Sequence, residues 1–191
     1  MLDIGTGKPN PSGRLNETYP IRYEDTPAFR YFPSEQKNSE YREALYVGYR
    51  YYDTAKVRVQ FPFGFGLSYT EFRYSDLTVS QDGVEFTLTN TGRVDGAEVA
   101  QLYVGLKDAK VFRPEKELKG FQKVFLKAGE SRKVTLPFDD KTFRYWNVRT
   151  NKWEVEGGTY TIMIGASCAD IRLTAEADVE GTTETYPYYT S

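Results

Sequence analysis

Histidine is absent from this 191-residue chain, and cysteine occurs once, at Cys168. The first absence removes the commonest general base and the commonest metal ligand. A single thiol forms no disulfide within the chain, so no secreted disulfide framework is read here. Together the two absences leave neither a Cys–His nucleophile nor a zinc set, and no metal or cofactor is expected. Long apolar runs are also missing, for nothing approaches the roughly 20 residues that span a bilayer as a helix. Residues Met1 to Gly5 carry no positively charged stretch leading into an apolar core, so no signal peptide is read and a cytoplasmic setting is favoured. Neither sign of charge dominates: 25 Lys and Arg stand against 27 Asp and Glu, a formal net charge of -2. The one basic run, Arg113 to Lys123, alternates with acids and apolar residues. Nucleic acid would need a clustered basic face, so neither nucleic acid nor membrane is an expected partner.

What the chain has in excess is aromatic: 16 Tyr and 12 Phe, many of them in the first 75 residues. Residues 1 to about 70 are irregular, punctuated by Pro9, Pro11, Gly13, Pro20, Pro27, Pro33, Pro62, Gly64 and Gly66. Only Ala44 to Tyr52 holds a β-propensity run, with Gly48 in its middle. Such richness in aromatics argues against disorder, so this half is expected to lie against a surface that supplies its missing partners. Tyr49, Tyr51 and Tyr52 are expected to fill a domain interface.

From Phe72 onward the pattern changes to short alternating runs. Val84, Phe86 and Leu88 alternate with polar residues up to Asn90-Thr91-Gly92, and Val134, Leu136 and Phe138 alternate again after the turn at Lys127 to Glu130. Glu98 to Val104 is denser in apolar residues, as an inner strand requires. Tyr145 to Val148 and Trp153 to Val155 flank a hairpin turn; Tyr160, Ile162 and Ile164 share one face; Ile171, Leu173 and Ala175 form a last strand. Seven or eight short strands with regular turn spacing predict an all-β sandwich. Without the Cys…Trp…Cys spacing of antibody domains, it is expected to be of the fibronectin type III-like (immunoglobulin-like) kind, preceded by an extended, largely irregular segment. The division expected is residues 1–70, the sandwich at 71–180 and a tail at 181–191.

Strings in fixed order then carry a resemblance. Asn10 to Leu15 reads NPSGRL, Tyr46 to Asp53 reads YVGYRYYD, and Phe61 to Thr70 reads FPFGFGLSYT. Asn90-Thr91-Gly92, Gly96, Glu98-Val99, Gln101 to Tyr103, Arg113-Pro114, Glu117 to Phe121 and Gly129 to Ser131 follow. Together they resemble the C-terminal region of glycoside hydrolase family 3, the β-glucosidases and their relatives. The resemblance has departures: Phe65 stands where relatives often have histidine or tyrosine, Ala55-Lys56 where they often have a glycine turn, and Asn16-Glu17 where a simple proline step is usual. Physically, Gly64 and Gly66 permit tight turns among bulky rings, Pro11 and Pro114 fix entry into extended segments, and Asn90 and Gly92 suit a hairpin needing positive φ.

The resemblance implies a retaining reaction between two carboxylates roughly 5 Å apart. It also implies that the nucleophilic Asp lies in an N-terminal barrel and the acid/base upstream of the NPSGRL-like string. Neither role maps onto a residue here, so no catalytic, cofactor-binding or metal residue is assigned. The chain is expected to be a fragment or split product, inactive alone, whose partners are the remaining catalytic domains or a partner chain, with self-association as a further possibility. Glu35, Glu40, Glu43 and the Asp139-Asp140 pair are read as solvated acids, and Gly5 to Lys8 lacks the spacing of a phosphate loop. Asn16-Glu17-Thr18 is a glycosylation sequon of the kind that arises by chance. Trp146 and Trp153 are expected in the core. An independent carbohydrate-binding or adhesion module is the alternative, and it would need an exposed row of aromatics.

Overall fold

The computed structural model describes residues 2–33, 37, 38 and 40–182. In the N-terminal half, a short helix α1 (Leu2–Gly5) precedes β1 (Tyr19–Pro20), a second helix α2 (Tyr49–Thr54) and β2 (Val59–Phe61). Strands β1 and β2 pair antiparallel, so the start and end of this half are drawn together. The sandwich then runs through β3 (Phe72–Val79), β4 (Gly83–Asn90), β5 (Gly96–Leu106), β6 (Glu117–Leu126) and β7 (Ser131–Pro137). A hairpin of β8 (Arg144–Asn147) and β9 (Lys152–Val155) follows, and then β10 (Gly158–Gly165) and β11 (Ile171–Val179). One sheet has the order β3-β4-β7 and the other β11-β10-β5-β6, while β8-β9 joins neither. All ladders are antiparallel. The fold is a fibronectin type III-like sandwich, as the alternation predicts. Among the described residues, no helix is long and apolar enough to cross a membrane.

The core forms because alternate residues of each strand point inward. Val84, Phe86 and Leu88 of β4 meet Leu102 and Val104 of β5 and Ile162 and Ile164 of β10, all buried. Burying each such aliphatic side chain stabilises by about 1.5–3 kcal/mol. Tyr74 of β3 stacks on Phe86 at 5.9 Å, and Phe143 abuts Tyr160 edge-on at 5.0 Å. Strand β5 is buried along nearly its whole length, on both faces. One face is the core; the other is covered by the N-terminal half.

Two local expectations are corrected. The β-propensity run over Ala44 to Tyr52 is interrupted, because Gly48 sits at φ 55 and starts helix α2. Helical spacing puts Tyr49 and Tyr52, both buried, on one side, which an extended strand could not do. Asn90 and Gly92, in turn, do not form a positive-φ hairpin. The chain crosses here between the sheets, and Asn90 is a fully buried staple. It donates from Nδ2 to the carbonyls of Val94 and Leu126, while its Oδ1 accepts from Thr70 Oγ1 and the Gly92 amide. Gly92 is needed for space, since a Cβ there would lie 2.0 Å from Thr70 Oγ1.

Candidate interdomain surface

Residues 10–15 and 48–70 fasten the N-terminal half, as a strap, to the outer face of the β11-β10-β5-β6 sheet. At its N-terminal end, Asn10 donates to the Asp95 carbonyl and accepts from Ser68 Oγ and the Tyr69 amide. Arg14 donates to Glu98 of β5 at 2.5 Å, and the Val99 amide donates to the same carboxylate oxygen. Leu15 donates its amide to the Phe65 carbonyl, and Gly64 donates to the Leu15 carbonyl, so the NPSGRL and FPFGFG strings zip together.

At its middle, the strap builds a second small core with the sheet. Tyr49 packs against Phe63 at 5.1 Å and Tyr103 at 5.9 Å, next to buried Cys168. The polar ends of these rings are matched: Leu118 donates its amide to Tyr49 Oη, and Tyr103 donates to Gln101 Oε1. Burial pushes the Tyr103 hydroxyl well above the usual tyrosine range, raises that of Tyr49, and pushes the Cys168 thiol up to about 12. Gln101 Nε2 donates to the carbonyl of Ala166, fixing the loop before β11. A Cβ on Gly64 would fall 2.3 Å from Gln101 Oε1, and Gly64 also holds φ 82, so backbone and amide approach only because no side chain intervenes.

Charged pairs finish the seam. Lys116 meets Asp53 at 2.7 Å, Arg50 meets Glu117 at 3.6 Å, and Lys56 pairs with Glu115. Desolvation lowers the Lys119 pKa, against which Glu117 pulls it back up.

The side of the strap turned away from the sandwich is aromatic and open. Tyr19, Tyr23, Tyr31, Phe32, Tyr41 and Tyr69 are all exposed. Some pair with one another, as Tyr23 does with Phe29 at 5.1 Å, and Arg42 lies over the Tyr31 ring at 4.6 Å. The expected surface for the N-terminal half is thus partly its own sandwich: Tyr49 is spent there, while these other rings stay exposed among the described residues. Sequence reading missed this double use, although the burial-like density of Glu98 to Val104 on both strand faces was a signal of it.

Trp146 and Trp153 are corrected from core to surface. They are 45% and 56% exposed, packed edge-to-face at 5.4 Å on the β8-β9 hairpin. Arg144 lies over Trp153 and is paired with Asp140 at 2.6 Å. Because the hairpin joins neither sheet, its apolar alternation faces no second layer. Among the acids, Asp139 accepts from Thr142 Oγ1 and the Lys141 amide, which holds its carboxyl below the usual range, and Glu40 pairs with Arg42. Glu43 is half-buried, and Glu35 lies outside the described residues. The residues of the 181–191 tail beyond Thr182 also lie outside them. Among the described residues, no group of three or more His, Cys, Asp or Glu comes together as a metal set.

The family model described as "Fibronectin type III-like domain" matches residues 98–168. Thermostable β-glucosidase B of Acetivibrio thermocellus is 44% identical over 190 residues, covering 95% of this chain and 25% of that protein. The exo-α-(1→6)-L-arabinopyranosidase of Bifidobacterium breve is 43% identical, covering 98% and 25%. The crystal structure of a Bifidobacterium adolescentis family 3 β-glucosidase matches 98% of this chain and 29% of its own, with a TM-score of 0.91 at 42% identity. Over nearly its whole length the chain is similar to glycoside hydrolase family 3 enzymes. It corresponds to the C-terminal region of those enzymes, strap and sandwich together, and spans about a quarter of the length of these curated relatives. Two of its departures from the family strings have a clear local outcome. Phe65 packs on Phe61 at 5.2 Å, and Lys56 takes the left-handed φ of 55 that a glycine would hold more easily.

Proposed function

We propose that this chain is the accessory, non-catalytic C-terminal part of a family 3 glycoside hydrolase, bracing the catalytic domains of its parent through the open side of the strap. The observation that carries this reading is the unequal use of the strap's rings: Tyr49 is locked onto the sandwich, while Tyr19, Tyr23, Tyr31, Phe32, Tyr41 and Tyr69 stay exposed among the described residues. Clusters of exposed aromatic side chains mark surfaces that meet a partner more often than scattered single ones do. In the proposed division 1–70 is the end of an α/β sandwich domain and an extended interdomain linker, 71–180 the fibronectin type III-like sandwich and 181–191 a tail. None of the acids of this chain carries the reaction in this reading, since Asp139 and Glu40 are engaged in local turns and pairs. The near-equal identity to a β-glucosidase and to an arabinopyranosidase also fits a region that does not select the sugar.

The test is hydrolysis of p-nitrophenyl β-D-glucoside by the purified chain, with and without the separately produced upstream domains of a close relative. Inactivity alone, and gain of activity or stability by the upstream domains on addition of the chain, is expected. Loss of that gain on replacing Tyr31 and Tyr41 by serine assigns it to the strap surface. Activity of the chain alone that disappears on mutating one of its own acids overturns the reading.

A second reading, an independent carbohydrate-binding module, is favoured by one observation, the exposure of Trp146 and Trp153. Retention on insoluble glucan, lost on replacing both with alanine, would establish it.

A further inference from the structure

Two parts of this chain present exposed aromatic rings, the strap and the Trp146–Trp153 hairpin. Both touch the ten-residue connection 107–116 that joins β5 to β6. Among the described residues, 108–116 make no backbone–backbone hydrogen bond; the Lys110 amide donates instead to Glu156 Oε1 at 2.6 Å. This connection is therefore held in place by side chains, and those side chains come from two different neighbours.

On one side the neighbour is the strap. Phe112, though 78% exposed, stacks on Tyr46 at 5.2 Å, Lys116 meets Asp53 at 2.7 Å, and Lys56 pairs with Glu115. On the other side stand the hairpin and the chain leaving it. Arg113 lies over the Tyr145 ring at 5.4 Å and faces Glu156, just past β9. Tyr145 in turn donates to Glu154, whose carboxylate also accepts from Asn147 and Thr150 and so ties both strands of the hairpin to its turn. A continuous line of contacts runs from Tyr46 through Phe112, Arg113 and Tyr145 to Glu154.

One joint in that line is not closed. Arg113 Nη1 and Glu156 Oε2 stand 4.0 Å apart on side chains only 12% and 10% exposed, and neither atom has a hydrogen-bond partner. Buried polar groups left unpaired cost free energy, which offsets part of what the docked loop gains from its other contacts. A segment with no ladder of its own and an unclosed joint belongs to the low-stability end of a fold, where local opening precedes global unfolding. We propose that the β5–β6 loop is a latch that couples the two aromatic surfaces. It exchanges between a docked and an open arrangement, and strap and hairpin both favour the docked one. Whatever orders the strap at Tyr46 and Asp53 thus also orders the hairpin, and the converse holds because such coupling is reciprocal. The latch lies within the chain and is independent of the bracing role.

The experiment is amide hydrogen exchange on the full 191-residue chain. Tyr46→Ala with Asp53→Asn, which frees the loop from the strap, should speed exchange in 108–116 and in Lys152–Val155 alike by about fivefold, the worth of roughly one aromatic pair. Glu156→Gln, which loosens the loop on the Arg113 side, should speed exchange in Tyr49–Thr54 by a similar factor. Ser68→Ala loosens the strap at its far end, beside Asn10, and should leave the hairpin unchanged. Unchanged exchange at Val84 to Leu88 in every variant reports that the core is kept. Hairpin protection unaltered in the Tyr46 and Asp53 variant, or strap protection unaltered by Glu156→Gln, would overturn the proposal. So would an equal effect of Ser68→Ala on the hairpin, or an equal rise at Val84 to Leu88, since either means general loosening instead of a latch.

Discussion

The guanidinium of Arg14 and the carboxylate of Glu98, 84 residues apart in the chain, meet at 2.5 Å with side chains only 10% and 6% exposed. Removing one partner of such a pair strands the other charge away from water, which costs about 3–5 kcal/mol. Glu98→Ala is therefore expected to lower stability by about 3 kcal/mol in urea unfolding. Replacing both residues by apolar ones, Arg14→Met with Glu98→Leu, should cost less than the single change. Equal losses would mean that the pair contributes more than the desolvation it incurs.

Gly64 and Gly129 separate backbone strain from crowding. Both hold φ near 80, but an added Cβ at Gly129 meets open space while at Gly64 it meets the Gln101 amide. Gly129→Ala is expected to cost about 1 kcal/mol and Gly64→Ala clearly more, with loss of amide protection at Ala166 as Gln101 is displaced.

Asn90 offers a test of polarity at constant shape. Its Nδ2 faces two carbonyls, so Asn90→Asp places a carboxylate oxygen against them. Burial and those carbonyls would raise the new group's pKa in the folded state above its unfolded value. Stability should then be best kept at low pH and be lost as pH rises from the unfolded toward the folded pKa, a dependence that Asn90→Ala must lack. Chemical denaturation from pH 4 to 8, about the span over which a buried carboxyl titrates, reads this directly.

Cys168 is expected to be inert while the chain is folded. Its thiol is pushed up to about 12, first by burial and then by Asp53, so little thiolate exists near neutral pH. An unfolded thiol ionises nearer 9, so this group's contribution to stability is intact below that pH and is lost as pH rises toward 12. Labelling by a thiol reagent at neutral pH should follow unfolding, not precede it. Rapid labelling of the native chain would contradict the burial.

Trp146 and Trp153 should report an open hairpin. Their fluorescence is expected to be red-shifted and strongly quenched by acrylamide in the folded chain, and Trp146→Ala should cost well under the roughly 3 kcal/mol of a core aromatic. Strong protection from the quencher would show that a second molecule covers the hairpin.

The sandwich was legible in the sequence because its signal is local. Alternation at Val84, Phe86, Leu88 and at Tyr160, Ile162, Ile164 follows from two-residue periodicity on half-buried strands, whatever lies opposite. The strap was legible only as a segment in need of a partner. That its partner is in part the outer face of β5 rests on contacts such as Tyr49 with Tyr103, separated by tens of residues, and periodicity carries no such information. Helix α2 was hidden for a related reason: Tyr49, Tyr51 and Tyr52 favour a strand by propensity, and only docking of Tyr49 against the sheet after the turn at Gly48 selects the helix. The tryptophans misled because their apolar neighbours imply a second layer that the β8-β9 hairpin never meets.

The zipping of residues 10–15 onto 61–70 has a consequence for how such a region can be moved between proteins. A crossover placed at the family domain's own limits, 98–168, would tear Glu98 from Arg14 and strip Tyr103 of its cover. A graft that keeps both halves of the zipper transfers intact. The portable length is therefore set by where the backbone is sewn shut, some 80 residues before the point at which the recognisable domain begins, by the count that separates the Arg14–Glu98 stitch.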